Sequence, residues 1–80
     1  MDKELVQKVK GLLEKGDQKK IADETGLNVV TVNRFFNNPD EVSDESASLI
    51  ISEAKKIIDS RNRLRQENEK TIKSLTDNSL

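Results

Sequence analysis

Residues 18–38 read QKKIADETGLNVVTVNRFFNN, and the way this stretch divides decides the fold. Two short helical patterns meet at Gly26. The first starts near Asp17, which is placed to cap it, and turns Ile21 and Ala22 inward. It stops at Gly26, a residue that takes a positive φ without steric cost. Asn28 then offers its side-chain oxygen to the unpaired N–H groups of a second helix, Val29 to about Asn37. Asn37, Asn38 and Pro39 end that helix, because the residue before a proline is pushed out of the helical region.

At ~100° per residue, with Val32 at the centre of the buried side, Phe35 and Phe36 fall to either side of it and pack inward. Val30, Asn33, Arg34 and Asn37 point away, and Val29 sits at the edge. The outward face thus carries a valine, two asparagines and an arginine, with no acid among them. A short helix, a tight turn containing glycine and a second short helix form the outline of a helix-turn-helix. In that motif the second helix enters the major groove of DNA. Arginine can bond guanine bidentately, asparagine can read adenine, and a small aliphatic group can pack on a thymine methyl. Thr31 and the helix start suit phosphate, as do Lys19 and Lys20 at the start of the preceding helix. The plainer alternative is a scattered surface valine, a solvated arginine and two ordinary exposed lysines.

Working outward from the corner, Asp2 is placed to cap a first helix running to about Lys15. Leu5, Val9, Leu12 and Leu13 form its apolar stripe; Gly11 weakens it and Gly16 is placed to end it. Ser43 is the expected cap of a fourth helix, with Asp44 and Glu45 at the positive end of its dipole. No Gly or Pro follows as far as Leu75. Leu49, Ile50, Ala54, Ile57 and Ile58 form a wide stripe that should dock on the first three helices. Beyond Asp59 the apolar residues thin to Leu64, Ile72 and Leu75. A heptad through Ile50, Ala54, Ile57, Arg61, Leu64, Asn68, Thr71 and Leu75 puts Arg61 and Asn68 at core positions. One buried Asn can set register in a dimer; a solvated, fraying tail is the alternative. Residues 76–80 are expected to be loose.

No alternation of period two occurs, so the chain reads as all-α: a small four-helix domain with a helix-turn-helix and an extended C-terminal helix. Residues 1–59 form the expected DNA-binding domain. Residues 60–80 are a C-terminal helical extension, a dimerisation segment or a loose tail.

Composition restricts function. Eighty residues with no cysteine provide neither disulfides nor thiolate metal sites. With no histidine, the usual neutral-pH base and the commonest nitrogen metal ligand are missing. No apolar run is long enough for a membrane span or a signal peptide, so a soluble cytoplasmic protein is expected. Neither an enzyme nor a metal or other cofactor is expected. Asp40, Glu41, Asp44 and Glu45 lie at a loop and helix start, where capping explains them. Fourteen bases and fifteen acids leave a net charge of −1. They are spread unevenly: residues 55–65, KKIIDSRNRLR, hold five bases against one acid. Lys55, Lys56, Arg61, Arg63 and Arg65 are therefore candidates for further contacts to a nucleic-acid backbone. The alternative is a solvated helix face balanced by Glu53, Asp59 and Glu67.

The run IADETGLNVVTVNRFFNNPDEVSDESASLIISEAKKI, residues 21–57, resembles the DNA-binding headpiece of lactose-repressor (LacI-type) transcription regulators. It is also similar to the wider group of phage-repressor-like (lambda-repressor-like) domains. Ile21-Ala22, Gly26-Leu27, Thr31-Val32, Arg34, Asn37, Val42-Ser43 and the pattern Ile50, Ala54, Ile57 carry the likeness, which covers a little under half the chain. The resemblance implies that Val29, Val30 and Arg34 read bases and that Asn37 sits near the backbone and groove wall. Asn28 and Thr31 stand where the family contacts phosphate. Asn33 replaces the serine usual before the arginine. The family's Gly-Tyr after the last headpiece helix is Ile58-Asp59 here, its hinge proline is absent, and the first helix is extra. With no sugar- or purine-binding domain after Leu80, effector sensing by the family's route is not expected.

Together these readings give the expectation of sequence-specific binding to double-stranded DNA by a small transcription regulator, paired as a homodimer through its C-terminal helix. The alternative is a protein-interaction module that uses helix three or the C-terminal helix.

Overall fold

A computed structural model describes residues 2–78. It consists of α1 (Lys3–Leu12), α2 (Asp17–Thr25), α3 (Val29–Asn37), a 3-10 turn (Pro39–Glu41) and α4 (Asp44–Asn78), with no strand among the described residues. The core is built from Val6, Ile21, Ala22, Val32, Phe35, Phe36, Ala47, Ile50 and Ala54, with Val9, Leu13, Leu27, Val42 and Ile57 packed around it. α2 packs on both α3 and α4, and α1 packs on α3. The two phenylalanines meet edge to face, with ring centroids 5.1 Å apart.

The chain starts and stops its helices with short-range contacts. The Asp2 carboxylate accepts from the Glu4 and Leu5 N–H groups. Gly26 ends α2 at φ 74°, and the Leu27 N–H then donates to the Thr25 hydroxyl. Asn28 caps α3 by accepting from the Val30 N–H at 2.8 Å. Ser43 accepts from the Ser46 N–H at the head of α4. With no Gly or Pro to interrupt it, α4 runs unbroken for 35 residues, about 52 Å at 1.5 Å per residue. It accounts for most of the 56 Å long axis.

Several expectations are corrected. α1 ends at Leu12, not near Lys15, and it buries Val6 while Leu5 and Leu12 face outward. The reason lies in its partner. α1 packs on α3 and barely on α4, and the Gln7 amide fixes its rotation by donating to the Phe36 carbonyl at 2.7 Å. Asp17 does not cap α2. Gly16 holds that position at φ 91°, and Asp17, one residue inside the helix, is buried. Leu49 is exposed instead of docked, and Ala47 takes its place in the core. Thr76 to Asn78 are helical instead of loose; Ser79 and Leu80 lie outside the described residues.

Candidate nucleic-acid interface

The period of α3 separates its two sides as the sequence requires. Val32, Phe35 and Phe36 are buried, whereas Val29, Val30, Asn33, Arg34 and Asn37 are exposed. The outward side chains are organised by a chain of hydrogen bonds across three helices. The Asn33 amide donates to Gln18 Oε1 on α2 at 3.2 Å. Asn37 donates to Asn33 Oδ1 at 3.0 Å. Lys10 on α1 donates to Asn37 Oδ1 at 3.0 Å. Arg34 stands beside this chain, and its guanidinium has no acid partner among the described residues. A row of amides held at both ends next to a free guanidinium is a surface with fixed donors and acceptors. It can meet the edges of planar polar groups with little side-chain ordering still to be done.

Lys10 and Gln18 were not singled out from the sequence. Each is one polar residue on another helix, and no local pattern records that it reaches α3. Asn28 remains at the head of α3 with its Oδ1 already engaged by the Val30 N–H, which leaves its amide N–H groups outward. Thr31 is half-buried in the first turn of α3. Lys19 is exposed on α2. Lys20 borders a shallow depression with Glu24, Glu53, Lys56 and Ile57, so it sits against α4 and apart from the α3 face.

The basic stretch of α4 does not gather into one patch. Lys55 pairs with Asp59 and Lys56 with Glu53, while Arg65 lies 3.6 Å from Glu14. Arg63 is exposed. Arg61 is the most firmly held. Its Nη1 and Nη2 donate to the two Asp17 carboxylate oxygens at 3.0 and 3.1 Å, and its Nε lies 2.9 Å from Glu14. Asp17 Oδ2 also accepts from the Glu14 N–H at 2.7 Å. The Arg61 bonds, helped by that backbone N–H, hold the Asp17 carboxyl below its ordinary value of 3.8 despite its burial. Asp17 in turn raises the Arg61 guanidinium above its ordinary value. Arg61 therefore pins α4 to the α1–α2 junction, a bidentate geometry that suits arginine and not lysine.

Among the described residues no group of acids is placed to hold a metal, and no helix is long and apolar enough to cross a membrane. Comparison with known proteins returns no match: no family model, no curated protein and no solved structure matches the chain.

Proposed function

We propose that this chain binds double-stranded DNA in a sequence-specific way, as a small transcription regulator whose α2 and α3 act as a helix-turn-helix. One observation carries the reading. Arg34 has no acid partner among the described residues and stands on an acid-free face, beside two asparagines fixed by Gln18 and Lys10. In the major groove the roles follow from chemistry. Arg34 donates its fork to guanine O6 and N7, an asparagine amide pairs with adenine, and Val29 and Val30 lie against thymine methyls. Asn28, Thr31 and Lys19 contact phosphate, and the helix start adds its N–H dipoles; Lys20, against α4, lies away from this face. Of the five basic candidates from Lys55 to Arg65, Arg63 is the freest to add a backbone contact; Arg61 has its donors committed to Asp17 and Glu14. One domain of this size makes a modest DNA interface, so two copies on paired half-sites are expected, joined through the C-terminal half of α4.

The test is selection of bound sequences from random duplex DNA at a stated low salt concentration, followed by a salt titration of the selected site. The expected result is an enriched motif and a log–log affinity slope of about −0.9 for each phosphate neutralised. No enriched motif together with salt-insensitive binding overturns the proposal. A second reading, a protein-interaction module, draws on the exposed Leu64, Ile72 and Leu75 of α4. Binding of a protein partner that ignores salt, with no DNA binding, selects it instead.

A further inference from the structure

The bundle of four helices is closed on three sides and open on the fourth. α1 packs on α3, α3 on α2 and α2 on α4, but α1 and α4 scarcely meet. Between them lies a groove of about 280 Å³ lined by Leu5, Val9, Phe35, Phe36, Ile51 and Ala54. It continues along α4 past Ile58, where Lys55 and Asp59 form its rim. Leu5 is 58% and Ile51 42% exposed, so these two walls of the groove face solvent in a single chain, above a buried floor of Phe35, Phe36 and Ala54. A second uncovered apolar surface lies on the far half of α4. Leu64, Ile72 and Leu75 are exposed there, and with Asn68 they share one face of the helix at the period of 3.6. α4 is unbroken from Asp44 to Asn78, so the stripe is carried away from its own molecule's groove.

We propose that the C-terminal half of α4 from a second copy of this chain fills the groove, and that the two copies exchange tails about a two-fold axis. The proposal rests on the expected pairing through the C-terminal helix and specifies its seat. Charge order selects the occupant and its direction. Lys55 and Asp59 stand one turn apart on the groove rim; Arg65 and Glu69 stand one turn apart beside the stripe. Lay the second α4 antiparallel, with its Ile72 beside Ile51. Its Arg65 then comes level with Asp59 and its Glu69 level with Lys55, each to within one residue, about 1.5 Å of rise. A parallel tail matched to the same rim sets base against base and acid against acid. The antiparallel arrangement is also the one a two-fold axis generates, because each copy gives one tail and receives one. The contact is then isologous and closes at two copies. It covers Leu5, Ile51 and Ile58 with Leu64, Ile72 and Leu75, and does so twice per dimer.

The experiment is sedimentation equilibrium of the full chain across a concentration series, with circular dichroism to verify the fold of each variant. A monomer–dimer equilibrium is expected, and Ile51→Glu and Ile72→Glu should each weaken it at least about tenfold. Two charge-reversed variants give the sharper result. One carries Lys55→Asp with Asp59→Lys on the rim; the other carries Arg65→Glu with Glu69→Arg on the tail. Each alone should dimerise roughly tenfold more weakly, the sum of several exposed pairs per dimer. Mixed one to one, they should form a heterodimer of near wild-type strength, because both of its seats are matched again. A chain that stays monomeric throughout overturns the pairing and the seat together. A dimer that responds to Ile72→Glu, ignores Ile51→Glu and shows no rescue on mixing is a tail-to-tail coil; that outcome overturns the seat and leaves the pairing standing.

Discussion

The corner between α2 and α3 and the far half of α4 are both helical, yet they are determined in opposite ways. At the corner nearly every residue answers to a contact inside the chain. Gly26 supplies the positive φ, Asn28 caps, Val32 and both phenylalanines fill the core, and Asn33 and Asn37 are tied to α1 and α2. Beyond Arg61 every side chain of α4 as far as Asp77 is exposed; Thr71 and Thr76 bond back into the helix, and Arg65 reaches Glu14. The lesson is about where specification comes from. The corner is fixed by folding, whereas the far half of α4 has a helical sequence and an apolar stripe, Leu64, Ile72 and Leu75, that stays exposed.

The largest effect expected from this contrast comes from equivalent truncations on its two sides. Phe35→Ala removes a fully buried ring and its edge-to-face partner, and should cost about 3–5 kcal/mol. Ile72→Ala should change the stability of the dilute monomer by no more than about 0.5 kcal/mol. Urea unfolding of both variants at low protein concentration measures the difference. Equal losses would mean that the far half of α4 packs on its own domain.

How much of this was readable in advance follows the same division. The two sides of α3 could be read from the sequence because one helix buried against one core has one period, and Val32, Phe35 and Phe36 occupy it. The Asn28 cap and the Gly26 stop are local chemistry, which local sequence records. Leu5 and Val6 are adjacent and both apolar, so the choice between them depends on which neighbour α1 meets; that neighbour is α3, and Gln7 sets the rotation. Asp17 has the right residue type for a cap, and its true partner is Arg61, forty-four positions away. The heptad through α4 puts Arg61 at a core position of a coil seam, whereas in the fold Arg61 is half-buried against Asp17 of its own chain. The heptad could not say that the residue there is held by a carboxylate. Lys10 and Gln18 join the α3 face only through tertiary packing.

The boundary between the two regimes is the Asp17–Arg61 pair, and it gives the middle-sized effect. Asp17→Asn should destabilise the chain at neutral pH by about 1–2 kcal/mol, the low end for charge-assisted bonds, because the guanidinium is partly open to water. Arg61 lowers the folded-state carboxyl below 3.8, so Asp17 binds its proton more readily in the unfolded chain. Its contribution is therefore complete above about that pH and is lost as pH falls through the lower folded value. Asparagine does not titrate. The stability gap between wild type and variant should thus be constant from pH 7 down to about 5 and close below 3.8. Thermal unfolding across that range measures it; a gap that persists unchanged in acid would show that the pair acts through packing and not through charge.

The smallest effect on folding is expected at Arg34, and there the functional reading is most exposed to test. Its side chain pairs with no acid among the described residues and lies on the outward face, so Arg34→Ala should leave stability within about 0.5 kcal/mol of wild type. On DNA the same change removes a bidentate donor, and a selected site should bind more weakly by about 1–3 kcal/mol with preference lost at one base position. Lys19→Ala provides the contrast: it should weaken all sequences alike and reduce the salt slope by about one unit. Asn33→Ala differs from both, since it also breaks the links to Gln18 and Asn37 and should blur preference at more than one position. If Arg34→Ala keeps both the wild-type motif and its affinity, then an unpaired arginine on an acid-free face is only a solvated charge. The corner would then be a well-specified piece of folding with no reading surface on its outer side.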